Sequence, residues 1–183
     1  MREQHLSDYI LVQKALKGDR HAFEEIIKKH ELLVSKTVIG FLGNSRQAED
    51  VGQEVFIRFF RSMNQYKGDS ALGTYLTRIA INLSLNELKR LKTKNMQALE
   101  NNISAVYADN EMEKREIVDI VNRALQQLEP DFRSVVILRM IDGYSTKETA
   151  AILGLPQGTV LSRLARAHKK LKVILKNEKI FGK

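Results

Sequence analysis

The chain has 183 residues and no cysteine, with 30 Lys+Arg against 22 Asp+Glu for a formal net charge of +8. That length suits two small bodies or one medium domain; the lack of cysteine excludes disulfides and thiolate metal sites; and the positive surplus favours contact with a polyanion, or simply solubility. No stretch approaches the roughly 18 consecutive apolar residues of a membrane span, and the N-terminus lacks the apolar core of a secretion signal, so a soluble, cytoplasmic protein without stable membrane insertion is expected.

Apolar residues recur at three- and four-residue intervals and only two prolines occur, Pro130 and Pro156, which makes the expected fold class all-α. Ser7 or Asp8 can cap a first short helix that stops at Gly18. Asp19 can cap a second, running through Phe23, Ile26, Ile27, Leu33 and Val34 towards Gly43. Asn44 and Ser45 offer the next cap, for a helix to about Met63. Lys67 to Gly73 reads as a polar loop, and a fourth helix runs from Thr74 to about Lys92. These four helices form a predicted N-terminal domain over residues 1–93.

From Thr93 the chain reads TKNMQALENNISAVYADN, polar and Asn-rich with no sustained helical stripe, and a flexible linker is expected over residues 94–112. Periodicity resumes at about Glu111, passes Ile117, Ile120, Val121, Leu125 and Leu128, and ends before Pro130, which can open a helix over Asp131 to Ile141. Gly143 ends that helix, and two short ones follow, completing a C-terminal domain over residues 113–183.

Three stretches carry more than periodicity. In STKETAAILGLPQGTVLSRLARAHKKL, Ala150, Gly154 and Val160 have helix-turn-helix spacing: a small residue where two helices cross, a glycine able to close the first helix left-handed, and an apolar anchor on the second. That spacing also fits an ordinary helical hairpin, but the second helix narrows the choice. Its stripe Val160, Leu164, Ala167, Leu171, Ile174 faces a core, while Ser162, Ala165, Arg166 and Lys169 point away; residues 157–183 hold eight basic side chains against the single acid Glu178. A solvated basic tail accounts for Lys176 to Lys183. Further upstream, Val51, Val55, Phe56, Phe59 and Met63 form a buried stripe, and Asp50, Gln53, Glu54, Ile57 and Arg61 share the other side. An isoleucine beside acids fits a protein-docking surface, and equally one stray exposed apolar residue. The next helix is apolar on two faces, with Leu76, Ile79 and Leu83 on one and Ile81, Leu85 and Leu88 on the other, so it should be central. Its edge of Arg78, Asn82, Asn86, Lys89, Arg90 and Lys92 suits single-stranded DNA, although each asparagine could instead satisfy local backbone.

Taken together, QAEDVGQEVFIRFFRSMNQYKGDSALGTYLTRIAINLSLNELKR resembles the second conserved region of the extracytoplasmic-function (ECF) sigma factors of bacterial RNA polymerase. LQQLEPDFRSVVILRMIDGYSTKETAAILGLPQGTVLSRLARAHKKL resembles their fourth, and the two occur in the expected order around the linker. The resemblance implies a minimal two-domain promoter-recognition factor that binds core polymerase and opens DNA, with no catalytic residue, metal or cofactor of its own. By position it implies that Asp50, Gln53 and Glu54, with Ile57 and Arg61 beside them, dock on the clamp helices of the largest subunit, the second body reaching the flap. It implies that the loop Lys67, Gly68, Asp69, Ser70 to Gly73 holds a flipped promoter base, with Asn82 next to it and Arg78, Asn86, Lys89 and Arg90 along the same proximal edge. Thr159, Ser162, Arg163 and Arg166 would read the distal promoter element in the major groove, Lys169 and Lys170 holding phosphates. An anti-sigma partner is a further expectation of the family. Tyr75 stands where the family usually has Trp, Leu72 where Phe is common, and Leu161 and His168 where basic residues are frequent, which leaves promoter sequence open. The alternative is a dimeric helix-turn-helix regulator binding palindromic operators without polymerase. An enzyme finds little support: His5, His21, His30 and His168 are scattered, with no phosphate-binding glycine loop and no nucleophile motif.

Overall fold

The computed structural model of the protein describes residues 2–98 and 114–177, and every regular element among them is helical. In order these are α1 (Arg2–Leu16), α2 (Arg20–Leu42), α3 (Arg46–Ser62) with a 3₁₀ turn at Met63–Gln65, α4 (Leu72–Ala98), α5 (Lys114–Gln126), α6 (Pro130–Val136) continuing into a π turn at Ile137–Ile141, α7 (Thr146–Leu153) and α8 (Gln157–Asn177). Three of the predicted helix starts act as expected: the Asp19 carboxylate accepts from Ala22 N at 3.1 Å, Ser45 Oγ accepts from Ala48 N at 3.2 Å, and Pro130 sits in the first turn of α6. Ser145 and Glu148 cap α7 reciprocally, at 3.2 and 2.8 Å, and Gly154 closes it with φ 64°.

Several boundaries differ from expectation. α1 begins at Arg2, ahead of Ser7, and Asp8 is instead buried inside it. The polar loop ends at Ala71, because Leu72 is fully buried and already belongs to α4, which places Gly73 inside that helix. α4 runs on to Ala98, past the expected start of the linker, and residues 99–112 of that linker lie outside the described residues. The stretch after Pro130 widens into a π turn, so that Ile137 and Leu138 both reach 0% exposure. The last helix has 21 residues and is not short.

Two cores follow from these elements. Val12, Ile26, Val34, Val38, Val55, Phe59, Leu72 and Leu76 fill the interior of α1–α4. Leu125, Leu128, Val136, Ile137, Leu138, Ile152 and Ala167 pack α5–α8, joined by Phe41 of α2 and Ile81 of α4. The two predicted bodies are therefore present, and they are not independent of each other.

The end of α2 shows why. The last four carbonyls of a helix have no partner within it. Gly43 N reaches Ile39 O at 2.8 Å and Ser45 Oγ reaches Leu42 O at 3.3 Å. The other two are served from the second body: Gln126 Nε2 donates to Gly40 O at 3.2 Å, and the Arg133 guanidinium donates to Phe41 O. Arg133 also donates to Gln126 Oε1 at 3.0 Å, Gln126 O at 2.6 Å and Leu128 O at 2.9 Å, with 4% of its surface exposed. Burial lowers its pKa to about 10, so it stays cationic at neutral pH, where a positive charge suits a helix C-terminus. Gly40 leaves no room to spare, since a Cβ built there would lie 2.9 Å from Ile137 Cδ1.

Two polar contacts flank this joint. Thr37 Oγ1 lies 3.0 Å from Asp142 Oδ2, and Thr77 Oγ1 lies 3.0 Å from Tyr144 Oη. Burial pushes the Asp142 carboxyl from 3.8 up to about 6, against the opposing effects of the Thr37 hydrogen bond and Lys36. Between those pH values the folded chain keeps a proton that the unfolded chain has released, so this group makes stability fall as pH rises from about 4 to about 6. Asp142→Asn should remove that slope and leave the protein more stable at pH 7 by on the order of 1–3 kcal/mol, as read by urea denaturation across pH 4–7; an unchanged slope would show that Asp142 does not titrate in this range. Arg133→Ala leaves three backbone carbonyls without their donor and should cost at least about 3 kcal/mol in the same assay, whereas a loss below about 1 kcal/mol would mean that water replaces the guanidinium freely.

Candidate nucleic-acid and protein interfaces

Helix α3 presents the predicted docking residues as a set. Asp50, Gln53, Ile57 and Arg61 are exposed and Glu54 is half-buried, its Oε1 paired with Arg58 Nε at 3.3 Å. Ile57 is not a stray. Phe60, 54% exposed, stands one turn further on with its ring edge-on to Phe23 of α2 at 5.0 Å between centroids. Phe23, Ile27, Phe56, Ile57 and Phe60 line a groove of about 570 Å³ rimmed by Gln53 and Arg61. An apolar floor with a polar rim is the makeup of a protein contact. The sequence reading missed Phe60; its signal was the three-residue step from Ile57, on the outward side of the helix.

A second groove, of about 480 Å³, runs between α3 and α4. Glu54, Arg58, Arg61 and Ser62 form one wall, and Tyr75, Ile79 and Asn82 form the other. This groove joins the docking candidates Glu54 and Arg61 to the proximal-promoter candidate Asn82. Two guanidinium groups, an aromatic ring and an amide together match what an unpaired base and its phosphate require. Tyr75 is fixed there by Tyr66 and Phe59, at centroid distances of 5.4 and 6.0 Å. Leu72, at the other departure from the family pattern, is core.

The loop 67–71 follows Tyr66, whose ring meets Tyr75 of this groove. Lys67 and Asp69 are exposed, Gly68 and Ser70 half-buried, and Tyr66 Oη donates to Ser70 O at 2.8 Å. Burial, more than the carboxylates of Asp8 and Asp69, pushes the Tyr66 phenol up to about 12, so it remains a donor. Along α4, Arg78, Asn82, Asn86, Lys89 and Arg90 all lie at least partly open to solvent. They do not form one cluster: Asn82 and Arg90 are separated by about 12 Å of helix. Arg90 is engaged by Glu87 at 2.6 and 2.7 Å, which raises its pKa, and Arg78 NH2 donates to Ala151 O of α7 at 3.1 Å. The start of α4 is thus held against the first helix of the helix-turn-helix.

On α8, Ser162, Arg166, Lys169 and Lys170 are exposed, Thr159 and Arg163 half-buried. Ala150 and Val160 are buried at the helix crossing, as their spacing predicts. Two of the cations are already paired with acids that open α6: Arg163 with Asp131 at 2.7 Å, and Lys170 with Glu129 at 2.6 Å, the latter bond holding the Glu129 carboxyl below its usual range. Lys170 also lies over the Phe132 ring at 5.2 Å. His168 Nε2 sits 3.0 Å from Met140 Sδ, turned to its own body. Arg166 and Lys169 are exposed cations on this face. Among the described residues no cluster of three potential metal ligands occurs, and no helix is long and apolar enough to cross a membrane.

Comparison with known proteins bears on both halves. The family profile described as Sigma-70 region 2 matches residues 26–94, and the one described as Sigma-70, region 4 matches residues 119–171. The chain is 36% identical to the ECF RNA polymerase sigma-E factor of Escherichia coli strain K12, over 93% of this chain and 95% of that protein. It is 30% identical to the RNA polymerase sigma-H factor of Pseudomonas aeruginosa, over 90% and 91%. Among solved structures it is similar to CnrH in complex with the cytosolic domain of CnrY, with TM-score 0.71, 25% identity and coverage of 93% of this chain and 98% of that one. The sigma factor RpoE of Bartonella quintana, solved with the anti-sigma factor NepR, shares the fold, with TM-score 0.72, 23% identity and coverage of 84% and 96%.

Proposed function

Because this chain belongs to the ECF sigma factors of RNA polymerase, we propose that its three surfaces divide the work of promoter recognition. As a sigma factor it binds core polymerase, recognises promoter DNA and promotes strand opening, and the covalent chemistry is the polymerase's. The α3 groove of Ile57 and Phe60, with Asp50, Gln53, Glu54 and Arg61, docks on the clamp helices of the largest subunit. The loop 67–71, with Arg78, Asn82 and the Tyr75 groove, takes the proximal strand, while Asn86, Lys89 and Arg90 follow its backbone. Thr159, Ser162, Arg163 and Arg166 reach base edges of the distal element, and Lys169 and Lys170 bind phosphate, working in the cytoplasm where the DNA is. Residues 1–93 serve as the proximal module and 113–183 as the distal one.

The observation that supports this reading is the groove between α3 and α4, in which Glu54 and Arg61 face Tyr75 and Asn82. A dimeric operator-binding regulator gives no reason for that arrangement, nor for the match of residues 26–94. In the packed form, Arg78 is committed to α7, and Arg163 and Lys170 to acids of their own body. Engaging both promoter elements then requires α7 to leave the start of α4, so polymerase binding is coupled to separation of the bodies. An anti-sigma factor, a partner seen with structural relatives, would act by holding them in place.

Charge reversal tests the docking face without touching the core. Asp50→Lys with Glu54→Lys should abolish retention on immobilised core polymerase while helical content and melting stay unchanged. Undiminished retention would remove α3 as the docking helix.

A further inference from the structure

The loop 67–71 reads Lys-Gly-Asp-Ser-Ala, with no large apolar side chain to anchor it, and holding such a segment in one shape costs conformational entropy. Two contacts from outside the loop fix it. One is the Tyr66 hydroxyl on Ser70 O. The other comes from the far end of the sequence. Gly68 has φ 80°, the left-handed region that favours glycine, and a Cβ built on it would lie 2.9 Å from Cδ2 and 3.2 Å from Cε2 of Tyr9. The Tyr9 ring therefore lies directly on the backbone of the loop, at the one residue of it with a positive φ.

The helix that presents Tyr9 is itself anchored. Asp8, its neighbour in α1, is 3% exposed and points into α2, where its carboxylate meets Lys29 Nζ at 2.6 Å and His30 Nε2 at 3.3 Å. Burial lowers the His30 pKa in spite of Asp8, so Lys29 supplies the countercharge. Val12, nearly one turn beyond Tyr9 and 0% exposed, adds apolar anchorage in the core. Asp8 thus fixes α1 on α2, and Tyr9 transmits that position to Gly68.

Resting on the reading that this loop receives an unpaired promoter base, we propose that Tyr9 is a positioning residue of promoter opening: α1 shapes the base-capturing loop through the Tyr9–Gly68 contact. The ring acts by occupying space on the glycine, so an aromatic ring without the hydroxyl serves equally well. Tyr9 lies before the matched region, which begins at residue 26.

The test uses the full chain with core polymerase, on a promoter fragment recovered by run-off selection from genomic DNA and carrying 2-aminopurine in its proximal non-template strand. Tyr9→Ala should slow the fluorescence rise of strand opening by about tenfold with core-polymerase affinity unchanged, and Tyr9→Phe should restore the wild-type rate. Gly68→Ala perturbs the same contact from the loop side and should slow opening comparably, so the idea stays testable if Tyr9→Ala fails to fold. Asp69→Ala with Ser70→Ala serves as the control for the loop itself. Normal opening by Tyr9→Ala, or by Gly68→Ala if that variant alone folds, overturns the positioning role when the loop control is impaired. If the loop control also opens DNA normally, the base-capture reading falls, and the positioning role with it. Loss of opening in Tyr9→Phe as well as Tyr9→Ala would assign the effect to the hydroxyl and overturn the space-filling role of the ring.

Discussion

The C-terminus of α2 cannot be completed by the body it belongs to. Of its four terminal carbonyls, two find donors in the following turn, and the other two are met by Gln126 and Arg133 across the joint. A buried guanidinium spread over neutral oxygens is costly to desolvate and strongly destabilising to strip of its partners. It is also specific, because its planar fork meets α2 and the end of α5 at once. The apolar contacts of Phe41 and Ile81 supply area to the joint, and this network sets its register.

That register governs what the free chain displays. The α3 groove is lined by Ile57 and Phe60, both open to solvent. The proximal edge is partly spent, with Arg78 on α7 and Thr77 against Tyr144. The distal face is half neutralised by Asp131 and Glu129. Largely solvent-facing pairs of this kind are worth about 1 kcal/mol each, little enough for a phosphate to compete with the acids. The joint at α2 holds more strongly than these pairs, and on the proposed function it sets how far the docking face is linked to the two DNA-reading faces.

Much of the fold was legible because it is locally determined. Asp19, Ser45 and Gly154 announce helix ends through bonds spanning three or four residues, and the helix-turn-helix follows from Ala150, Gly154 and Val160. The candidate site was legible mainly through resemblance: nothing in the periodicity of α3 separates Ile57 from a stray isoleucine, and nothing in the sequence sets Phe60 beside the ring of Phe23 on α2. What stayed hidden is long-range. Thr37 and Asp142 are 105 residues apart, Arg133 and Phe41 are 92 apart, and in sequence Arg133 is one more cation on an amphipathic helix. The π turn hides for another reason, since a single widened turn leaves an apolar run intact.

On the proposed function, the two reading heads are packed together in the free chain and separate on polymerase. The absence of cysteine makes this directly measurable: Gln47→Cys on α3 and Lys172→Cys on α8, both at exposed positions, accept a pair of spin labels without background. The inter-label distance should be short and narrowly distributed in the free protein, and shift to a longer, equally narrow distribution in the polymerase–promoter complex. A broad distribution in the free chain, or the same short distance in the complex, would contradict it.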